Sequence, residues 1–112
     1  PPGLYGADET DGEALRAIEQ VMQSLLAYDP KTGAVQPALA SEWTASDDLT
    51  EWTFTLRDGV KFHNGATFDA NDVVESYVVQ WDASNPLHVG RTGDFTYFSG
   101  LFGQFLNAPP AQ

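Results

Sequence analysis

His63 and His88 are the two histidines of the chain, and they fall in different elements. No H-E-x-x-H pair links them and no cysteine completes a zinc set, so no metal site is read from them. His63 is read instead as a turn histidine at the end of a strand. Asp47-Asp48, or Asp69 with Asp72, have the right oxygens for calcium but not the D-x-[DN]-x-[DN]-G spacing, and caps and loop tips account for them more simply. Ser24, Ser41, Ser46, Ser76, Ser84 and Ser99 could each be a nucleophile by type. None stands in a G-x-S-x-G setting and none is tied by sequence to a histidine. With sixteen acids in the chain some pair always lies at a workable distance, so a glycosidase-like carboxylate pair carries no information. Gly3 and Gly6 have no Lys or Ser/Thr at Walker spacing and make no phosphate loop. Trp43, Trp52 and Trp81 could line a ligand cleft; Trp52 and Trp81 fit the core pattern, and Trp43 is open between core and cleft. The expectation is no catalytic residue, no cofactor and no metal.

The bulk composition narrows the class. The 112 residues suit one domain, and 42% hydrophobic with 12% aromatic content argues against disorder. Sixteen acidic against five basic residues give a formal net charge of −11, which repels phosphate backbones and anionic headgroups; nucleic acid is not an expected partner. The charge is read as a solubilising surface. The absence of cysteine excludes disulfides and leaves the compartment open. No apolar run approaches the roughly 20 residues needed to span a bilayer. The chain carries no signal sequence and opens on Pro1-Pro2, which reads as a processed or excised piece.

The elements follow from periodicity. Residues 1–10 read as an extended, Pro/Gly-rich lead-in. Thr10 with Glu13 forms a capping box, and Leu15, Ile18, Met22 and Leu25 make one stripe, which predicts a helix over 11–26. Asp29-Pro30 with Gly33 presets a reversal. Pro37 keeps any strand over 34–43 short or on an edge. In EWTFTLRDGVKFHNG, Trp52, Phe54 and Leu56 alternate with polar residues, Asp58-Gly59 supplies a turn, and Val60 and Phe62 resume the alternation, which predicts a hairpin around 51–63. Val73, Val74, Tyr77, Val78 and Trp81 predict a helix over 70–81 whose apolar face packs on the ribbon. A Phe-rich stripe predicts a third helix over 94–106 despite Gly100 and Gly103. The expected fold is α+β, a small antiparallel sheet packed by two to three helices, with 11–106 as a single subdomain and 107–112 as a Pro/Ala tail.

Pattern alone gives no function. TGAVQPALASEWTASDDLTEWTFTLRDGVKFHNGATFDANDVVESY, however, resembles the signature region of the family 5 extracytoplasmic solute-binding proteins, the peptide-, dipeptide- and nickel-binding receptors of ABC importers. LLAYDPKTGAVQPALA, a Trp before an acidic turn, TFTLR leading to GVKFHNG, and FDANDVV at a helix start follow in the family's order, and NPLHVGRTGDFTYFSGL is similar to what comes next in dipeptide-binding members. DDLTEWTF lacks the Gly frequent in the acidic turn, and HNG stands where HDG is common. The resemblance implies part of a periplasmic-binding-protein type II-like fold, at the start of an inserted α+β subdomain. It implies a periplasmic, extracytoplasmic or lipoprotein location. The partners it implies are a peptide or similar small solute, ABC permease subunits and the remaining lobes of a receptor. It also brings the lead-in Leu4-Tyr5-Gly6-Ala7 nearest the solute, with Tyr5 either offering a ring and a hydroxyl or merely anchoring the lead-in. Tyr5 and Gly6 from this resemblance, with Trp43 as the tryptophan left open between core and cleft, are the candidate ligand-binding residues, and most of the chain is expected to be scaffold. The alternative is a stand-alone interaction domain that self-associates or binds a partner through the Phe-rich helix or an open sheet edge.

Overall fold

The computed structural model describes residues 3–108; Pro1, Pro2 and the last four positions of the Pro/Ala tail lie outside the described residues. The α+β class holds. A 3-10 turn at Gly6–Asp8 precedes helix α1 (Gly12–Ile18), strands β1 (Leu26–Tyr28), β2 (Val35–Pro37), β3 (Ala40–Ala45) and β4 (Trp52–Leu56), and helices α2 (Ala70–Trp81) and α3 (Thr96–Phe102). The chain divides into two compact units, one made of the residues up to Met22 and from Asn71 onward, the other Gln23–Ala70.

Within Gln23–Ala70 the strands form two antiparallel pairs, β1 with β2 and β3 with β4. Asp29 builds the first reversal: its backbone closes on Gly33 and Ala34, and its carboxylate accepts from the N–H of Lys31 at 2.7 Å. Gly33 takes the left-handed φ of 72° that this turn requires. Pro37 ends a three-residue strand opposite Leu26, the short strand its missing N–H allows.

The expected hairpin around 51–63 is corrected. β4 pairs with β3, Trp43 standing opposite Phe54 and Ala45 opposite Trp52, across the Ser46-Asp47-Asp48 turn. Val60 and Phe62 instead take partners from the chain just after them. The Phe68 N–H donates to the Val60 carbonyl and the Phe62 N–H to the Ala66 carbonyl, both at 2.9 Å or less. The Asn64-Gly65 reversal, with Gly65 at φ 88°, thus uses the backbone groups that a 51–63 hairpin would have needed. The acidic turn is closed by Asp48, whose carboxylate accepts from the Ser46 hydroxyl at 2.6 Å and the Thr50 hydroxyl at 2.8 Å. These bonds, with the Thr50 N–H, lower its pKa to about 2. Leu49 sits in this turn at φ 59°, a left-handed conformation uncommon for a residue other than glycine.

In the other unit, α1 is shorter than expected and its cap is displaced. Asp11 is the N-cap, its carboxylate accepting from the Ala14 N–H at 2.9 Å, in place of Thr10. The helix ends at Ile18 instead of 26: the N–H groups of Val21 and Met22 both close on the Ile18 carbonyl in a turn, and by Leu26 the chain is extended in β1, with the Ser24 and Leu25 carbonyls just before it accepting from the N–H groups of Leu39 and Ala40. Tertiary pairing here outweighs the helical period. α2 has the expected bounds of 70–81 but buries none of its residues, so the face expected to pack leaves Val74, Tyr77 and Trp81 exposed. α3 spans seven residues of the expected 94–106; Gly103, at φ 88°, stops it. The buried apolar side chains of this unit are Ala14, Ile18, Phe95 and Phe98.

Candidate functional site

The lead-in is fastened to the segment before α3 by two buried carboxylates. Asp8, 4% exposed, ends the 3-10 turn, and each of its oxygens accepts two hydrogen bonds. One oxygen takes the Thr92 N–H at 2.7 Å and the Gly93 N–H at 3.0 Å. The other takes the Thr92 hydroxyl at 2.7 Å and the Phe95 N–H at 3.0 Å. Burial alone pushes this carboxyl up, but the Thr92 hydroxyl and the N–H groups of Phe95, Gly93 and Thr92 outweigh it and hold Asp8 well below the usual carboxylate range. Glu9, 2% exposed, receives the Arg91 guanidinium in a two-pronged ion pair, both bonds at 3.1 Å. The hydrogen bonds that Arg91 donates to Glu9 hold it more firmly protonated than an unpaired guanidinium.

Two glycines make room for these acids. A side chain at Gly90 would collide with the Asp8 carboxylate, and one at Gly3 would collide with that of Glu9. Both positions need a bare backbone because a charged group lies against them.

The clasp orders an aromatic row. Phe95 is fully buried and adopts φ 43° and ψ 50°, a left-handed conformation that costs a bulky residue of order 1–3 kcal/mol. The Asp8 bond to its N–H and the burial of its ring offset that cost. Tyr5 meets the Phe95 ring edge to face, centroids 6.1 Å apart. On the same ring His88 stacks at 4.1 Å, and the His88 Nδ1–H donates to the Val79 carbonyl at 2.8 Å, an acceptor that fixes the tautomer. The row continues through Phe105, Phe98 and Phe102 to Tyr77 on α2.

Of the residues singled out in the sequence, Tyr5 and Gly6 lie together on this clasp. The Tyr5 carbonyl accepts from the Asp8 N–H at 3.1 Å, and its side chain remains 43% exposed. Partial burial and the Asp8 charge raise the Tyr5 pKa, so its hydroxyl stays a neutral donor. At Gly6 a Cβ would stand 3.1 Å from the Ile18 side chain, so the lead-in runs close over α1. Trp43 belongs to the Gln23–Ala70 unit, half-buried on β3. Trp52 and Trp81, read as core, are 53% and 45% exposed, which corrects that reading. Alternation and helical spacing identify a face that seeks cover, not what supplies it.

The remaining candidates have ordinary employment. Ser24, Ser41, Ser76 and Ser99 donate their hydroxyls to backbone carbonyls, and Ser46 and Ser84 to the turn carboxylates of Asp48 and Asp82. Among the described residues no group of three or more His, Asp or Glu could hold a metal ion. Asp8, Glu9 and Arg91 were not anticipated from the sequence. The available signal was Arg91 itself, the one basic residue after Lys61, set between glycines in an aperiodic loop of a strongly acidic chain.

Comparison with known proteins gives this arrangement its context. Residues 34–96 match the family model described as bacterial extracellular solute-binding proteins, family 5 Middle. The chain belongs to that family. It is 37% identical over 108 residues to heme-binding protein A of Haemophilus influenzae, covering 90% of this chain and 20% of that protein. It is 42% identical over 91 residues to the probable di/tripeptide-binding protein 5 of Pseudomonas aeruginosa, covering 76% and 17%. The crystal structure of a dipeptide binding protein from Pseudoalteromonas sp. SM9913 in complex with Met-Leu superposes with a TM-score of 0.72 at 31% identity, over 89% of this chain and 20% of that one. The family 5 chain described here thus spans about a fifth of the length of the relatives it matches. These relatives are named as binding proteins, not as enzymes.

Proposed function

We propose that the chain is one part of an extracytoplasmic receptor that captures a peptide or similar small solute and delivers it to an ABC importer, and that it acts as a binding protein, not an enzyme. The likeness to a dipeptide binding protein solved in complex with Met-Leu carries this reading. Within such a receptor these residues are mainly scaffold. The lead-in at Tyr5 and Gly6 contributes to the solute-facing wall, and Trp43 is a second contact proposed on its partial exposure. The clasp supports the role of Tyr5: a half-exposed ring with a neutral hydroxyl, backed by a fully buried phenylalanine, is suited to hold a small solute with little entropy cost on binding.

Closure of lobes over a solute needs both walls of the cleft, with binding free energy offsetting the cost of closing. The receptor that carries this chain is expected to give saturable heat in calorimetry with a mixture of dipeptides that includes Met-Leu, and the 112 residues alone are expected to give none. Saturable heat from the 112 residues alone would contradict the scaffold role. A receptor that binds no small solute, encoded apart from any ABC permease, would contradict the whole reading.

The second reading, an interaction domain acting alone, draws on the exposure of Leu101 and Phe102 on α3. Light scattering on the 112 residues distinguishes it: concentration-dependent association through this helix favours it, and a strict monomer counts against it.

A further inference from the structure

We propose that Asp8 is the positioning residue for Tyr5, holding the lead-in and the Phe95 ring in one fixed arrangement so that Tyr5 is presented to solute before any solute arrives. The proposal deepens the reading that Tyr5 faces solute, and rests on it for its functional meaning.

Three independent observations meet at this carboxylate. Its backbone N–H closes on the Tyr5 carbonyl at 3.1 Å, so the carboxylate and the tyrosine belong to the same 3-10 turn. Its side chain accepts from the Phe95 N–H at 3.0 Å, at the residue whose ring supports Tyr5. Phe95 itself stands at φ 43°, a conformation that persists only where its surroundings impose it. Asp8 thus grips both halves of the Tyr5–Phe95 contact, which are about ninety positions apart in the chain. Four donors converge on two oxygens, so every lone pair is used and the carboxylate is not available to bind solute itself. Gly90 leaves the space the carboxylate occupies. The Glu9–Arg91 pair adjoins the clasp but touches neither Tyr5 nor Phe95 through an observed bond, which singles out Asp8 as the link.

An asparagine at position 8 keeps the size and replaces one acceptor oxygen by a donor, which must then face N–H or O–H donors. The test uses the receptor that carries this chain, with 3-fluorotyrosine at position 5 and fluorine NMR as the readout. In the unsubstituted protein the fluorine line is expected away from the free-tyrosine position, shifted by the Phe95 ring. Asp8→Asn is expected to return it to the free position while the protein stays folded. Thr92→Val, which deletes the hydroxyl that donates to Asp8 and also accepts from the exposed Asp94 N–H while leaving the three backbone donors to Asp8 in place, is expected to shift it part of the way and serves if Asp8→Asn fails to fold. A residue that only stabilises the fold would lower the melting temperature and leave the folded-state line in place. An unmoved line in both variants, or in Thr92→Val alone where Asp8→Asn does not fold, overturns the proposal. The reading it rests on fails separately: if Tyr5→Ala leaves the affinity for the dipeptide mixture unchanged, Tyr5 does not face solute, whatever the fluorine line does.

Discussion

A buried carboxylate that accepts four hydrogen bonds is strongly committed to its charged form, and this gives Asp8 a signature in pH. Its folded-state pKa lies below the unfolded value of about 3.9, so the stability it contributes is fully present above that value and is lost as pH falls towards the folded-state pKa. The melting temperature of Asp8→Asn should therefore lie below that of the wild type at neutral pH, and the gap should narrow as pH drops below about 4. A gap that stays constant with pH would mean the carboxylate charge is not what holds the clasp. Leu49 makes the opposite case, a residue whose backbone conformation is unfavourable. It occupies φ 59° with its side chain exposed, so little packing is lost on removing it. Leu49→Gly is expected to stabilise by about 0.5–1 kcal/mol in denaturant titration, relief of left-handed strain outweighing the extra unfolded-state freedom of glycine.

The elements divide according to whether local signals or distant partners decide them. α2 was legible to its bounds because an amphipathic period of three and four ran uninterrupted over 70–81. The length of α1 was not, because the helical stripe runs on into residues that the fold assigns to a turn and to strand β1, whose partner β2 lies further along the chain. The partner of β4 was likewise hidden: Asp58-Gly59 signals a turn, and Gly59 does take φ 74°, but a turn dipeptide does not say which strand pairs with which. Tyr5 and Gly6 could be reached from the sequence only through family resemblance. The clasp beneath them joins residues 8 and 9 to 91–95 and leaves no periodic trace. The shortened α1 makes a quantitative contrast. Ile18→Ala removes a buried side chain and is expected to cost about 2–4 kcal/mol, whereas Met22→Ala, at an exposed position, is expected to cost less than about 0.5 kcal/mol. Comparable costs for the two would mean that the helical stripe packs through residue 22 after all.

At the scale of the molecule, the small number of buried apolar side chains stands against a long series of exposed ones, Trp52 and Phe54 on β4, Val74, Tyr77 and Trp81 on α2, Leu101 and Phe102 on α3. Two-stranded sheets are marginal in water without further cover. Both facts suit a chain that spans about a fifth of its relatives. The 112 residues alone are expected to bind an apolar dye such as ANS strongly, and the proposed receptor to bind it weakly; equal binding by both would mean the exposed faces stay uncovered there. The central claim is that this family 5 chain is scaffold whose lead-in meets the solute through Tyr5. Calorimetric titration of the receptor and its Tyr5→Ala variant with dipeptides including Met-Leu tests it most directly. The account predicts saturable binding that weakens about tenfold in the folded variant, or ~1.4 kcal/mol. Unchanged affinity in Tyr5→Ala would contradict it.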